Sequence, residues 1–463
     1  MARPTVLLLN PPGNQRIMRD YFCSKVSKGS YYYHPVDLLF LSGWLGEHYH
    51  VRVLDSVVQR LSPRATLAYV KTLRPAAVVA LTAAPSFVED QALFRAIKAN
   101  GAPRLFVTGD IVLDHGAHLL QTNLEIDGLL LDFSTPDILD LLEGRPSQNA
   151  IYRDGNGEVV STPVTRGRGV FAIPRPRHEL FPLDAYRFIL ARRRHFATVL
   201  SDFGCPYPCQ YCISGHLGFK LRELDGVLEE IEHLHRLGLR EIFFRDQTFG
   251  VHKSRTLELC ARLASFVPRL GWVCFSRTDV LDEELLDAMQ EAGCHTIIFG
   301  LETVNHDLLA GYGKAIPRET TEATLRACAR RGVRTLGTFI LGLPGEDEGA
   351  VRQTIRWATG LPLDFATFNI ATPRMGTSFR RLALAQGWAD PNRLDLDSSL
   401  GEPAITTERL SPERLAALRL EAVRAFYGRP TYVARRIAGA RSWHDLYSLW
   451  SEGSGMVRGL LNR

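Results

Sequence analysis

The sequence predicts an α/β chain in two parts, a doubly wound parallel sheet followed by a partial (βα)6 barrel, with a helical region after them. Three observations predict it. Short apolar runs alternate with helical patterns before residue 145, six further runs do so between about 196 and 380, and the alternation stops beyond 380. A length of 463 residues agrees with more than one domain.

In the first part, "TVLLLN", "VRVLD", "AAVVALT", "RLFVTG" and "IDGLLLD" read as buried strands. In open sheets of this kind a ligand sits over the carboxyl ends of the strands, where Asn10, Pro11, Thr82, Gly109 and Asp110 fall. The opening "MARPTVLLLNPPGN" has too short an apolar run for a secretory signal and reads as the first strand. "IYRDGNGEVVSTPVTRG" carries a hairpin signal, and "IPRPRHELFPLDAYR" is a proline-punctuated connector. The boundaries expected are 1–145, 146–190, 191–380 and 381–463.

The barrel runs are "ATVLSDFG", "REIFFRD", "GWVCFSR", "CHTIIFGLE", "VRTLGTFILG" and "FATFNIATP". Between the first two, Leu224, Val227, Leu228, Ile231 and Leu234 share one helix face, which Gly238 closes. Strands joined by such helices imply a parallel sheet, and in barrels the chemistry lies at the C-terminal strand ends. In the tail, Ser411 is a candidate N-cap with Pro412 at the first helical position; Arg414 leaves the reciprocal capping box incomplete. From 424 onward arginines outnumber acids and interleave with Tyr432, Trp443, Tyr447 and Trp450. The tail is expected to pack as a solvated helix on the barrel, the alternative being contact with a membrane surface or an apolar substrate.

Composition narrows the function. A net charge of +5 with no long Lys/Arg block gives no nucleic-acid footprint, and no window reaches the roughly 18 uninterrupted apolar residues of a membrane span. The cysteines are few and irregular, which argues for a reducing, cytoplasmic setting. Cys23, Cys260, Cys274, Cys294 and Cys328 stand alone and read as inert thiols. Cys205, Cys209 and Cys212 do not: "FGCPYPCQYC" follows the first barrel strand and gathers three soft ligands without a fourth. A structural zinc site is closed by four ligands; His195 and His216 flank the triplet but lack the paired spacing of zinc modules. Three thiolates fit an iron-sulfur cluster with one open iron, whereas electron-transfer clusters usually have four.

The cysteine spacing, with aromatic Tyr211 before Cys212, resembles the signature of radical S-adenosylmethionine (SAM) enzymes. "FFRDQTF", "FSRTDVLDEELLDAMQEAGC", "IIFGLET", "FILGLPGE" and "ATPRMGT" resemble the successive strand ends of the cobalamin-linked branch of that family, and "LLLNPPG", "HPVDLLFLSGWLGEHYHVRVLD" and "VTGDIVLDHGAHLL" its N-terminal Rossmann-like B12-binding domain. The resemblance covers about 380 residues. It implies a [4Fe-4S] cluster on Cys205, Cys209 and Cys212, whose open iron binds the amino and carboxylate groups of SAM. Polar groups near SAM would include Tyr211, Asp246, Gln247, Arg277, Glu302 and Gly342, with Arg277 pairing with the cofactor carboxylate. Pro373, Gly376 and Thr377 match the sixth strand end. Cobalamin would rest over Asn10, Pro11, Thr82 and Gly109.

Three departures stand out. No Asp-x-His-x-x-Gly stretch supplies a histidine below cobalt, Asp114 and His115 being adjacent. The branch usually has Gly-Gly where this chain has Gly109 and Asp110, and Gly-Glu where it has "LDFS" at 131–134. The implied activity is cleavage of SAM to a 5′-deoxyadenosyl radical followed by cobalamin-dependent methylation of an unactivated carbon in a lipid or natural-product precursor. The alternatives are radical cyclisation, rearrangement or oxidation without methyl transfer, or an iron-sulfur electron-transfer or scaffold protein. An external flavodoxin or ferredoxin is the implied electron donor. "SKVSKGSYYYHP" is expected to pack between the domains, with its tyrosines as alternative cavity walls.

Overall fold

The computed structural model describes residues 3–14, 17–20, 24–25, 32–101, 103–165, 167–394, 396 and 403–438. The first sheet runs in the order 50–55, 5–10, 77–81, 104–108, 128–130, 150–153, 159–161. Its first five strands are parallel. The hairpin Ala150–Arg153 and Val159–Ser161 adds two antiparallel strands to its edge, so this sheet continues past residue 145. Consecutive residues of the opening strand face opposite sides: Val6 and Leu8 enter one core, Leu7 and Leu9 another. Burial on both faces requires the near-continuous apolar runs seen in the sequence. The strand order reverses between 5–10 and 77–81, the position at which open α/β sheets leave a crevice.

Six parallel strands form the second sheet in chain order: 197–199, 241–244, 271–276, 294–302, 334–341 and 365–370. Helix Leu224–Arg236 forms where the apolar spacing placed it, with Val227, Leu228, Ile231 and Leu234 buried. One face of the sheet packs on its helices through Ile242, Trp272, Ile297, Phe339 and Phe368. The other face, carrying Phe243, Val273, Ile298, Leu336 and Phe365, is filled by Phe181 and Tyr186 of the connector with Phe196 after it, and is continuous with Leu8 and Val79 of the first sheet and Phe40 of helix Val36–His48. The connector is therefore a plug inside the barrel as well as a link between domains.

The run "ATVLSDFG" is not one strand. Ala197–Val199 belongs to the barrel, and Asp202–Gly204 turns off into a separate three-stranded sheet with Phe219–Arg222 and Arg168–Phe171. The break has a visible cause: the Asp246 carboxylate takes the amides of Ser201 and Asp202 (2.6 and 3.2 Å). Beyond the barrel, Ser411 caps helix Pro412–Tyr427 by accepting from the Arg414 amide. This helix buries Leu415, Leu418, Ala422 and Phe426 in the barrel's outer core, and most of the stretch from 424 onward lies outside the described residues. Tyr432 is buried with it, while Trp443, Tyr447, Trp450, Tyr31 and Cys23 lie outside the described residues. Among those described, no helix is long and apolar enough to cross a membrane.

Candidate functional site

Cys205, Cys209 and Cys212 lie on a short loop after Asp202–Gly204, pinned by backbone bonds. The Cys212 amide donates to the Cys209 carbonyl (3.0 Å), the Gln210 amide to Tyr312 O (2.9 Å) and the Phe379 amide to Gln210 O (3.0 Å). Cys205 Sγ lies 3.5 Å from Thr248 Oγ1, and Cys209 Sγ lies 3.9 Å from Gly313 O. Burial raises the Cys205 thiol above its ordinary value and pushes the Cys212 thiol up to about 11. Binding to metal must therefore displace protons. His195 instead sits 3.0 Å from Asp184, and His216 lies against Ser378. Among the described residues no three His, Cys, Asp or Glu side chains form a site for a single ion. Three thiols on one tight loop, without a nearby fourth ligand, are a donor set suited to an iron-sulfur cluster.

The strand-end residues anticipated around the thiols divide into two groups. Tyr211 and Gln247 stay available. The Tyr211 hydroxyl is buried without a partner, and Gln247 makes a long 3.5 Å bond to Arg245 O. Asp246 is occupied in shaping the strand end, since Ser201 Oγ also donates to it (2.6 Å). Burial lifts the carboxyls of Asp246 and neighbouring Asp202, Asp202 the more, with the charge of Asp246 adding to the effect there. Glu302 accepts from Lys314 Nζ (2.8 Å), which also donates to Gly300 O (2.7 Å).

Gly342 has a packing reason. Its φ is +78°, and a Cβ there would lie 2.2 Å from Leu415 of the capping helix, while its amide donates to Glu346. Arg277 holds Asp279 with Nε and Nη2 at 3.0 and 2.8 Å. Pro373 accepts from Arg380, and Thr377 caps helix Ser378–Ala385.

At the ends of the first sheet, Asn10, Pro11 and Thr82 surround buried Arg19. That side chain reaches Asp90 (2.6 and 3.0 Å), Asn10 Oδ1 (3.2 Å) and Pro11 O (2.7 Å). Asn10 also donates to Asp55 (3.0 Å), and Thr82 donates to Asp90 (2.9 Å). Gly109 has φ +148° because Thr82 O would lie 1.9 Å from a Cβ; the close approach is to backbone of the next strand. Asp110 accepts from the Ala84 amide (2.9 Å). Asp132, in the "LDFS" segment, pairs with barrel Lys220 (3.0 Å), and Phe133 meets Phe40 and Phe203 edge to face. That segment is thus a clamp between the two halves.

The two sets of strand ends share one cavity. Asn10, Asp37, Asp55 and Phe133 line it from one side, and Leu200, Phe203, Gly204 and Gln247 from the other. Tyr32 and Tyr33 also face it, so both roles expected for the described tyrosines are combined. Its wall carries buried polar atoms without a protein partner: Asp37 Oδ2, His34 Nε2 and Asp202 Oδ1. Burial, reinforced by the charge of Asp20, pushes the Asp37 carboxyl up to about 8. Unsatisfied groups of this kind are costly unless a ligand or water meets them. Asp37, His34, Arg19, Lys220 and Lys314 escaped sequence reasoning because their partners are distant in the chain; Tyr207 and Asp279 sit within quoted motifs, but only their contacts reveal a role.

Residues 202–358 match the Radical SAM superfamily model. An uncharacterized methyltransferase of Pyrococcus horikoshii is 27% identical over 427 residues, 87% of this chain and 90% of that protein. The radical SAM methyltransferase TsrM from Kitasatospora setae, solved with cobalamin and a [4Fe-4S] cluster bound, superposes with a TM-score of 0.69 at 19% identity, covering 93% of this chain and 90% of that one. The cobalamin-dependent radical enzyme OxsB, solved with aqua-cobalamin and SAM, gives 0.71 at 14% identity, covering 99% and 72%. At these identities the structural likeness is one of fold.

Proposed function

We propose that this chain, a radical SAM enzyme with the architecture of the cobalamin-dependent branch, methylates an unactivated carbon of a small, largely apolar substrate such as a lipid or natural-product precursor. One observation carries the reading: a single cavity is bounded by the strand ends of both sheets, so ligands of the first sheet and of the cysteine loop would face one another. Cys205, Cys209 and Cys212 would hold a [4Fe-4S] cluster with an iron open to SAM. Cobalamin would rest over the first sheet, where the partnerless atoms of Asp37 and His34 suit an amide-rich ligand. When bound, these groups supply one-electron cleavage of SAM and a transferable methyl group.

The chain's own task is placement and exclusion of water. Leu200, Phe203, Leu217 and Phe133 give the cavity an apolar wall. Gln247 and the Tyr211 hydroxyl are free to orient SAM, and Asp37, neutral near pH 7, can donate a hydrogen bond. Pro206 and Pro208 of the cysteine loop are exposed while the thiols are covered, and an external donor such as flavodoxin or ferredoxin would approach over those prolines.

A second reading is radical rearrangement, cyclisation or oxidation without methyl transfer. It is favoured by the 131–134 clamp, in which Phe133 and the Asp132–Lys220 pair occupy a strand end where glycine was expected. Anaerobic reconstitution with cobalamin, desalting and product analysis separates the two. Retained cobalamin with S-adenosylhomocysteine beside 5′-deoxyadenosine supports methylation. Cluster and cleavage without retained cobalamin overturn it in favour of the second reading, and an inert, fully ligated cluster overturns both.

A further inference from the structure

We propose that Arg277 sets the reduction potential of the group held by the cysteine loop, acting through the Cys209 sulfur. This rests on the cluster assignment above and adds to it a residue whose role is redox tuning. The guanidinium has three faces to satisfy, and the structure accounts for each. Its Nε and Nη2 edge is locked on Asp279 at 3.0 and 2.8 Å. Its flat face lies 3.7 Å from the ring centre of Tyr207, the aromatic residue between the first two cysteines. Its remaining corner, Nη1, points to Cys209 Sγ at 3.8 Å.

This arrangement is pre-organised. Arg277 is only 8% exposed, so little solvent competes for its donors, and Asp279, which offsets part of its charge, lies on the edge away from the sulfur and leaves the Nη1 donor to Cys209. The Tyr207 stack fixes the plane from within the cysteine loop itself, so guanidinium and thiol move together. Lysine could supply the charge but neither the fork nor the stack.

The physical consequence concerns one electron. Reduction adds a negative charge to the cluster and its thiolates, with no bond made or broken; the electron comes from the external one-electron donor. A cation donating to a ligating sulfur stabilises the reduced form more than the oxidised form, and hydrogen bonds to sulfur are an established lever on such potentials. Arg277 therefore makes the cluster easier to reduce.

The test is a potentiometric titration followed by electron paramagnetic resonance, on reconstituted full-length wild type, Arg277→Lys and Arg277→Met, with iron and sulfide counted in each. The expected result is equal iron and sulfide with midpoints falling in the order wild type, Arg277→Lys, Arg277→Met. Should Arg277→Met fail to fold or to assemble a cluster, the lysine variant decides through its own midpoint. Unchanged midpoints in variants with intact clusters overturn the role of Arg277 and leave the proposed function standing. So does a loss of SAM affinity at constant midpoint, which would return Arg277 to cofactor binding. A wild-type protein that assembles no [4Fe-4S] cluster overturns the proposed function and this inference with it.

Discussion

The strand ends of the two sheets hold their polar groups differently, through one shared network in the first sheet and through separate local pairs in the barrel. In the first sheet Arg19 gathers Asn10, Pro11 and Asp90 into a closed network, and Thr82 joins it through the same carboxylate. In the barrel the pairs are separate, Asp246 with Ser201, Glu302 with Lys314 and Arg277 with Asp279, and the Tyr211 hydroxyl of the cysteine loop remains unpaired. A closed network rigidifies a surface, whereas unpaired groups wait for a ligand. The first domain's own partnerless atoms lie to one side, at His34 and Asp37 beside the start of helix Val36–His48. The first sheet is thus a rigid floor, and the partnerless polar atoms lie in the cavity wall between the sheets.

The sharpest way to separate the two regions is Cys209→Ala. Reductant-dependent SAM cleavage should fall to background, and iron content should drop, while the urea midpoint stays within experimental error. A large loss of stability would show that the loop also holds the fold.

The opposite pattern is expected from Arg19→Met. Both side chains of the Arg19–Asp90 pair are fully buried, so removing the cation strands a carboxylate at a cost of about 3–5 kcal/mol. Urea unfolding should report it, with the cluster's spectrum unaltered in the protein that remains folded. Gly109→Ala should cost about 2 kcal/mol by the same measurement, since the methyl group meets Thr82 O at 1.9 Å and a positive φ is strained. A neutral result would mean that the strand can shift, and that the floor is softer than its bonding suggests.

The last effect is one of pH and concerns a second contact joining the regions. Glu230 accepts from His178 at 2.6 Å and from Arg222, whose guanidinium lies over Phe40 of the first domain. Burial alone would raise the Glu230 carboxyl, but Arg222 and His178 outweigh it and hold it below its ordinary value. A depressed carboxyl contributes stability above its unfolded value, and loses it as pH falls through the folded one. The unfolding free energy should therefore decline below the ordinary carboxylate range, and Glu230→Gln should flatten that limb while lowering stability at pH 7. An unchanged acid limb would place the pH sensitivity elsewhere.

What could be read from the chain was local. Helix Leu224–Arg236 followed from apolar spacing, the Ser411 cap from one hydroxyl and one proline, and the hairpin after 150 from its turn residues. The cysteine loop was legible for the same reason, since three ligands lie within eight residues. The strand run through 197–204 misled because its break is imposed by Asp246, more than forty residues away. At Gly342 and Gly109 the sequence could not tell that a side chain would meet Leu415 and the Thr82 backbone, because both partners are distant in the chain.

The sequence by itself determined two apolar strand patterns, their order, and a soft three-thiol site at the end of one strand. Short-range sterics and periodicity encode such features directly. Only the tertiary structure decided that Arg277 is turned to a thiol, that Asp132 is tied to Lys220, and that both sheets open into one cavity. Those outcomes depend on which groups packing brings together and removes from water, and neighbours along the chain do not specify them.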